Sequence, residues 1–211
     1  MSCDKVTILG VCGSPRKGST QFVLEQALTA AKEQEDVLTD MICLSGLHIE
    51  GCDQCDYCVI KQCYCRHKDD FTQELMQRFI QADGYVIATP VYNMNISWKL
   101  LTFFNRFRPL HKVFPPDVLS YKAGGAIAVG GTRQGGQATA IQAIHEFFFC
   151  RQILVVGGGK GAYSGGTVWS RDDLENGTKL DDIGLETARS VAIRVAQAAK
   201  LIRAGKEALA D

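Results

Sequence analysis

The chain has 211 residues, and its 23 lysines and arginines balance 23 aspartates and glutamates. This length supports one well-buried core rather than two full domains. The zero net charge gives no long-range field that would attract nucleic acid or an anionic membrane, and no apolar run approaches the roughly 20 residues of a membrane span. We therefore expect a single domain over residues 1–211 with neither partner.

The first residues, MSCDKVTILGVCGSPRKGS, place a lysine and a Gly-Ser-Pro turn where a signal peptide needs a continuous apolar segment. We therefore expect a cytoplasmic protein. Thiols are kept reduced in the cytoplasm, so clustered cysteines there indicate metal or redox chemistry more often than disulfides. This matters because the chain has nine cysteines.

Apolar strands and amphipathic helices alternate along the chain. The predicted strands cover residues 6–12, 36–44, 84–90, 123–131 and 152–158. The predicted helices cover residues 19–34, a segment that starts at Asp69 and Asp70, residues 97–107 and 137–149, and a last segment from about 181. This alternation predicts an α/β fold with a parallel sheet covered on both faces. Such a sheet binds its ligand beyond the carboxyl ends of the strands.

The loop after the first strand, GSPRKGST at residues 13–20, has the composition of a phosphate-binding loop. Its glycines allow close backbone approach, its hydroxyls can donate hydrogen bonds, and the following helix presents free N–H groups. It is not a Walker A loop, because Lys17 precedes Gly18 instead of following it. An ordinary turn that caps a helix is the alternative interpretation.

Five cysteines lie close together after the second strand: Cys52, Cys55, Cys58, Cys63 and Cys65. The overlapping spacing of three at Cys52, Cys55 and Cys58 favours a compact four-iron cluster, because zinc sites usually pair two Cys-x-x-Cys knuckles across a longer gap. A zinc site, or a loop of free thiols or a disulfide, remains the alternative.

Two further polar loops follow the third and fourth strands, TPVYNMNIS at residues 89–97 and GGTRQGGQ at residues 130–137. The backbone and amide groups of the first loop suit the edge of a planar ring. The second loop is rich in glycine and places Arg133 and Gln137 at the same edge of the sheet. For the first of them, a packed turn in which Tyr92 contacts the core and Ser97 caps the next helix is equally compatible with the sequence. Three polar loops at one edge of the sheet are more specific than any single one.

The ordered set GSPRKGST, CDQCDYC with a later Asp-Asp, TPVY, GGTRQGGQ and GLETAR resembles the iron-sulfur flavoprotein family, a branch of the flavodoxin-like NAD(P)H-dependent FMN reductases. The resemblance implies a flavodoxin-like, doubly wound, five-stranded parallel sheet in the order 2-1-3-4-5, with a cysteine-rich loop at residues 51–68 inserted after strand 2. It implies FMN and a 4Fe-4S cluster as cofactors. Asn105-Arg106 is a departure, since many FMN reductases of this group have Asp-Arg there.

The same resemblance assigns residues to the two cofactors. The FMN phosphate would be held by Ser14, Arg16, Ser19 and Thr20. The flavin ring would be bordered by Pro90, Val91, Tyr92 and Asn93, with Gly131, Thr132 and Arg133 nearby. Counting back from Asp69 and Asp70, as the related flavoproteins are arranged, indicates Cys65 as the fourth cluster ligand, with Cys63 as second choice. The expected metal ligands are Cys52, Cys55, Cys58 and Cys65.

The function implied is electron transfer among a ferredoxin-like donor, the cluster, FMN and a small oxidant such as oxygen, peroxide or a quinone, with no residue required as acid or base. One alternative is an NAD(P)H-dependent FMN or quinone reductase whose cysteine loop holds zinc or no metal. Another is a flavodoxin-like binding module without turnover. A homodimer or homotetramer is expected from the resemblance. Three successive phenylalanines at residues 147–149 cannot all face one core, so some of them would meet another subunit, a covering loop or the protein's own chain.

Overall fold

The computed structural model describes residues 5–159 and 161–210. Its strands are β1 (Val6–Cys12), β2 (Val37–Cys43), β3 (Gly84–Pro90), β4 (Ala123–Gly130), β5 (Leu154–Val155) and β6 (Gly166–Trp169). All are parallel, in the order β2-β1-β3-β4-β5, and β6 also pairs with β4. The predicted fold class and the strand order 2-1-3-4-5 are therefore confirmed.

The edge of the sheet next to β4 differs from the prediction of one strand at residues 152–158. β5 pairs only with Ala123 and Gly124, whereas β6 pairs with the other end of β4, from Ile127 to Gly130. Between these two strands Gly157 lies against the Tyr163 carbonyl, with which an added Cβ would collide. The strand β6 was missed because its sequence neighbours, Tyr-Ser-Gly-Gly, are turn formers.

Helices cover both faces of the sheet. They are α1 (Ser19–Lys32), α2 (Tyr57–Lys61), α3 (Gln73–Gln81), α4 (Trp98–Asn105), α5 (Leu110–Val113), α6 (Gln137–Cys150), α7 (Leu174–Lys179) and α8 (Asp182–Ala210). α1 and α8 enclose one hydrophobic core, and α3, α4 and α6 enclose the other. Within the described ranges, no helix has the length and apolar character needed to cross a membrane. The short helices α2, α5 and α7 were not predicted.

The start of α3 corrects a second prediction. Asp69 and Asp70 were expected at the helix N-terminus, but the cap is Thr72, whose hydroxyl accepts a hydrogen bond from the Leu75 N–H at 3.2 Å. The two aspartates are used by other partners, which are described with the site below.

The three phenylalanines at the end of α6 do not share one core, as the sequence predicted. Phe148 is fully buried, and Phe147 stacks on Phe104 with the ring centroids 3.9 Å apart. Phe149 is 57% exposed. Trp98 and Leu101 of α4 are also more than half exposed, so these two helices present apolar side chains to the outside.

Gly125 of β4 marks where α8 packs closest to the sheet. An added Cβ would lie 2.5 Å from Val191 Cγ1 and 2.7 Å from Val195 Cγ2. We expect Gly125→Ala to lower the free energy of unfolding by about 1–3 kcal/mol, because overpacking forces shifts in both elements. Gly205→Ala, where a Cβ meets nothing within 4 Å, is the control and should be neutral or stabilising. Denaturant titration compares the two; equal stability would contradict the packing described.

Candidate functional site

The carboxyl ends of β1, β3, β4 and β6 open onto one cleft at the edge of the sheet. Its lining comprises Ser14, Arg16, Lys17, Gly18, Ser19, Thr20, Pro90, Val91, Tyr92, Val129, Gly131, Ser170, Asp172 and Leu174. The residues in it that the sequence assigned to FMN are Ser14, Arg16, Ser19, Thr20, Pro90, Val91, Tyr92 and Gly131. Three separate loops of the chain are thus brought together in one place, as the topology requires.

Three residues assigned to FMN do not line this cleft. Asn93 instead lines the neighbouring groove between α4 and α6. The guanidinium of Arg133 lies over the Trp169 ring, 4.7 Å from its centroid. The carbonyl of Thr132 accepts a hydrogen bond from Gln137 Nε2 at 2.6 Å. These residues surround the cleft rather than form its wall.

The first loop leads directly into α1. Gly18 precedes the helix with φ 143°, a backbone conformation that favours glycine, and no described side chain caps the first turn. The N–H groups of that turn therefore stay available, at the helix end where the dipole favours negative charge. The loop is held by Ser14, whose Oγ donates to the Arg16 carbonyl at 2.6 Å. This geometry fits a phosphate group.

The loop after β3 is fastened to the first loop. Ser97 Oγ donates to the Gly13 carbonyl at 2.5 Å and accepts from the Leu100 N–H at 3.1 Å, so Ser97 caps α4. The expectation that Ser97 caps the helix after this loop is therefore confirmed. Tyr92 is 36% exposed and lines the cleft instead of being buried in the core.

The segment at residues 170–174, which forms one side of the cleft, was not predicted. Ser19 Oγ donates to the Leu174 carbonyl at 2.6 Å. The carboxylate of Asp172 packs directly against Gly131, where an added Cβ would collide with it. The segment was missed because it follows β6, the strand that the sequence did not reveal. Recognising Thr-Val-Trp as a short strand would have pointed to it.

The cysteine loop forms a second site. Cys52, Cys55, Cys58 and Cys65 line one narrow pocket. Cys63 does not line it, and its Sγ donates to the Tyr64 carbonyl at 3.3 Å. Burial raises the pKa of Cys58, and the neighbouring Cys65 and Cys52 raise it further. The structure thus brings together the four cysteines that were expected to bind the cluster and separates them from Cys63.

The four cysteines line this pocket, but their thiols are not arranged as the ligands of a metal ion. Among residues 5–159 and 161–210, no group of three or more His, Cys, Asp or Glu side chains is arranged to hold a metal ion. The donor set nevertheless suits iron and sulfide. Arg106 also lines the pocket, and its buried Nε–H has no hydrogen-bond partner in the described part of the chain. A cluster sulfur would supply such an acceptor.

Ion pairs hold the cysteine loop together and attach it to the body of the protein. Arg66 Nη2 lies 2.7 Å from Asp53 Oδ2 and joins the two ends of the cysteine run. Arg108 pairs with Asp56 and lines the pocket beside the thiols. The guanidinium groups place positive charge where the thiolate ligands of a bound cluster would otherwise repel each other.

The third ion pair joins Arg106 to Asp69, and both side chains are 1% exposed. Arg106 Nη2 donates to Asp69 Oδ1 at 3.1 Å, and Nη1 donates to Asp69 and to the Glu50 carbonyl. Burial raises the pKa of Asp69, but the hydrogen bonds and charge of Arg106 together with the N–H groups of Glu50 and Phe71 outweigh burial, so the pKa is lowered. This buried pair anchors both ends of the loop, a role that the sequence did not indicate.

The two adjacent aspartates therefore close the cysteine loop instead of starting α3. Asp69 Oδ2 accepts from the Glu50 N–H at 2.8 Å. Asp70 Oδ2 accepts from the His48 N–H at 2.6 Å, and the Asp70 N–H donates back to the His48 carbonyl at 2.9 Å. Their carboxylates satisfy the backbone where the loop leaves and rejoins the fold.

Comparison with known proteins gives consistent matches. Residues 6–167 match the family model described as NADPH-dependent FMN reductase. The chain is 40% identical over 188 residues to an iron-sulfur flavoprotein of Methanocaldococcus jannaschii, covering 89% of this chain and 93% of that protein. It is 42% identical over 191 residues to an iron-sulfur flavoprotein of Archaeoglobus fulgidus, covering 90% and 95%.

The fold also matches solved structures. The flavodoxin, WrbA-like protein from Agrobacterium tumefaciens superposes with a TM-score of 0.64 and 16% identity, covering 93% of this chain and 99% of that one. At this identity the match concerns the fold alone. It agrees with the parallel sheet and the strand order described above.

Proposed function

Because the chain belongs to the NADPH-dependent FMN reductase family and is a flavin-dependent oxidoreductase, we propose that it is an iron-sulfur flavoprotein that transfers electrons between a protein donor and a small oxidant. FMN would bind in the cleft at the carboxyl edge of the sheet. A 4Fe-4S cluster would bind in the pocket of the cysteine loop.

The observation that carries the proposal is the shared pocket of Cys52, Cys55, Cys58 and Cys65, with guanidinium groups beside it. Helix α4 connects this pocket with the loop that carries Tyr92 of the flavin cleft. α4 begins at Trp98, next to the loop that carries Tyr92, and its other end leads into Arg106 at the pocket. The helix has eight residues, or about 12 Å at 1.5 Å per residue.

In this proposal the residues around the two sites bind or position the cofactors. The first turn of α1 and the hydroxyls of the first loop bind the phosphate. Arg106 and Arg108 offset the negative charge of the four thiolates. When bound, FMN exchanges one or two electrons and the cluster exchanges one, so together they can collect single electrons and deliver pairs. No side chain has to act as acid or base.

The proposed partners follow from this chemistry. The donor is a ferredoxin-like protein or NAD(P)H, and the acceptor is oxygen, a peroxide or a quinone. We further propose a homodimer or homotetramer in the cytoplasm. The groove between α4 and α6 supports self-association, because exposed Trp98 and Leu101 line it next to Tyr92 of the flavin cleft.

The test is anaerobic mixing of the purified protein with reduced ferredoxin or with NADPH, followed by the flavin absorbance. Faster bleaching by ferredoxin, in protein that contains iron, is the expected result. The alternative is an NAD(P)H-dependent flavin or quinone reductase whose cysteine loop holds zinc or no metal. Rapid bleaching by NADPH in iron-free protein would support that alternative.

Arg16 provides a direct test of the phosphate site. We expect Arg16→Ala to weaken FMN binding about 10- to 100-fold, because a charge-assisted contact to phosphate contributes about 1.5–3 kcal/mol. Quenching of flavin fluorescence measures the dissociation constant of the apoprotein for FMN. Arg194→Ala, on the exposed side of α8, is the matched control and should bind FMN like the unchanged protein. Equal affinity in both variants would remove Arg16 from the site.

A further inference from the structure

Two cysteines outside the cysteine loop lie side by side at the carboxyl edge of the sheet. Cys12 is the last residue of β1, Cys43 is the last residue of β2, and the two are direct register partners. Neighbouring strands are about 4.8 Å apart, which lies within the Cα separation of about 4.4–6.8 Å that a disulfide requires. Both side chains belong to the core under α1, so they project from the same face of the sheet.

The two thiols differ in accessibility and acidity. Cys12 is 1% exposed, whereas Cys43 is partly exposed. The hydrogen bond from Cys12 lowers the pKa of Cys43 to about 7; Lys17 also lowers it, whereas burial and Glu25 raise it. The same hydrogen bond raises the pKa of Cys12 far above its ordinary value. A reactive thiolate with a protonated thiol beside it is the arrangement of a redox-active pair.

We propose that Cys12 and Cys43 form a peroxide-reactive dithiol that closes to an intramolecular disulfide beside the first loop of the flavin cleft. The Cys43 thiolate attacks one oxygen of hydrogen peroxide, so an S–O bond forms, the O–O bond breaks, and hydroxide leaves and takes up a proton to become water. The Cys12 sulfur then attacks the Cys43 sulfenic acid; the S–S bond forms, the S–O bond breaks, and a second water leaves with the Cys12 proton.

This site is separate from the four cysteines of the proposed cluster, and it does not depend on that cluster. The disulfide would lie next to the first loop of the flavin cleft. Cys12 immediately precedes Gly13, the first residue of the loop that leads into the flavin cleft. Ser14 is the first residue of the chain that lines the flavin cleft.

Peptide mapping of the purified holoprotein tests the proposal. After one equivalent of hydrogen peroxide and alkylation under denaturing conditions, digestion with trypsin and a glutamate-specific protease isolates Cys12 in peptide 6–16 and Cys43 in peptide 36–50. We expect mass spectrometry to find these two peptides joined, with two hydrogens fewer than their sum. Recovery of both as separate alkylated peptides while other cysteines are oxidised would overturn the proposal, as would Cys43 joined to a cysteine of residues 52–65.

Cysteine variants test which of the two thiols reacts first with peroxide. Cys12→Ala should leave Cys43 as a sulfenic acid that a 1,3-dione reagent traps, and Cys43→Ala should leave Cys12 reduced. Cys150→Ala is the control, since Cys150 is exposed and outside the pair, and it should form the cross-linked peptide in unchanged yield. Loss of the cross-link in Cys150→Ala, or trapping at Cys12 instead of Cys43, would contradict the assignment.

Discussion

Replacing Cys65 with serine should remove the iron and the visible absorption of the cluster while FMN stays bound. The reason is geometric: Cys65 lines the pocket with Cys52, Cys55 and Cys58, and the flavin cleft is built from other loops. Cys55→Ser should have the same effect. Iron analysis and the absorption spectrum of anaerobically purified protein measure both cofactors in one sample.

Cys63→Ser is the matched control, because Cys63 lies two residues away and outside the pocket. It should keep its iron and its spectrum. If Cys63→Ser loses the iron and Cys65→Ser keeps it, the fourth ligand is Cys63. If iron content is the same in all three variants, the loop does not hold a cluster.

Replacing Arg106 with methionine should cost the largest amount of stability of any single change considered. The variant leaves the Asp69 carboxylate buried without its partner, and breaking a buried pair on one side costs about 3–5 kcal/mol. Arg66→Met is the control, because its pair with Asp53 is exposed and little change is expected. Urea denaturation at neutral pH gives both free energies of unfolding.

The pH dependence of this loss provides a second test. In the unchanged protein the pKa of Asp69 is lowered, so the pair contributes stability above the unfolded pKa of about 3.9, and that stability is lost as the pH falls through the folded pKa. In Arg106→Met, protonation relieves the unpaired carboxylate. The difference in stability between the two proteins should therefore shrink towards acid pH. A difference that is constant with pH would show that packing, not charge, is responsible.

The sheet illustrates how much of the fold the sequence predicts. β1, β3 and β4 are long apolar runs, so the strands and their parallel arrangement were predictable from the alternation with helices, and their order from the family resemblance. The strand β6 could not be predicted, because four residues after a glycine-rich turn are too few to show a periodicity. The missing strand also hid residues 170–174, which follow it in the cleft. That residues 1–211 form a single domain stays a prediction.

The cysteine loop shows that contacts between residues far apart in the sequence could not be predicted from local patterns. The spacing of Cys52, Cys55 and Cys58 was visible in the sequence, and the family resemblance indicated Cys65 ahead of Cys63. The fold adds that Cys65 lines the pocket with the other three, and the fourth ligand stays a prediction. Asp69 looked like a helix cap because its partner, Arg106, is 37 residues away. Long-range pairs of this kind leave no local signal.

Metal and flavin stoichiometry of protein purified without oxygen tests the central claim most directly. The proposal that the chain binds both FMN and a 4Fe-4S cluster predicts about four irons and one FMN per chain, with the visible absorption of both cofactors. One FMN with zinc, or with no metal, would contradict it; the chain would then be a flavin reductase, and residues 51–68 a structural loop.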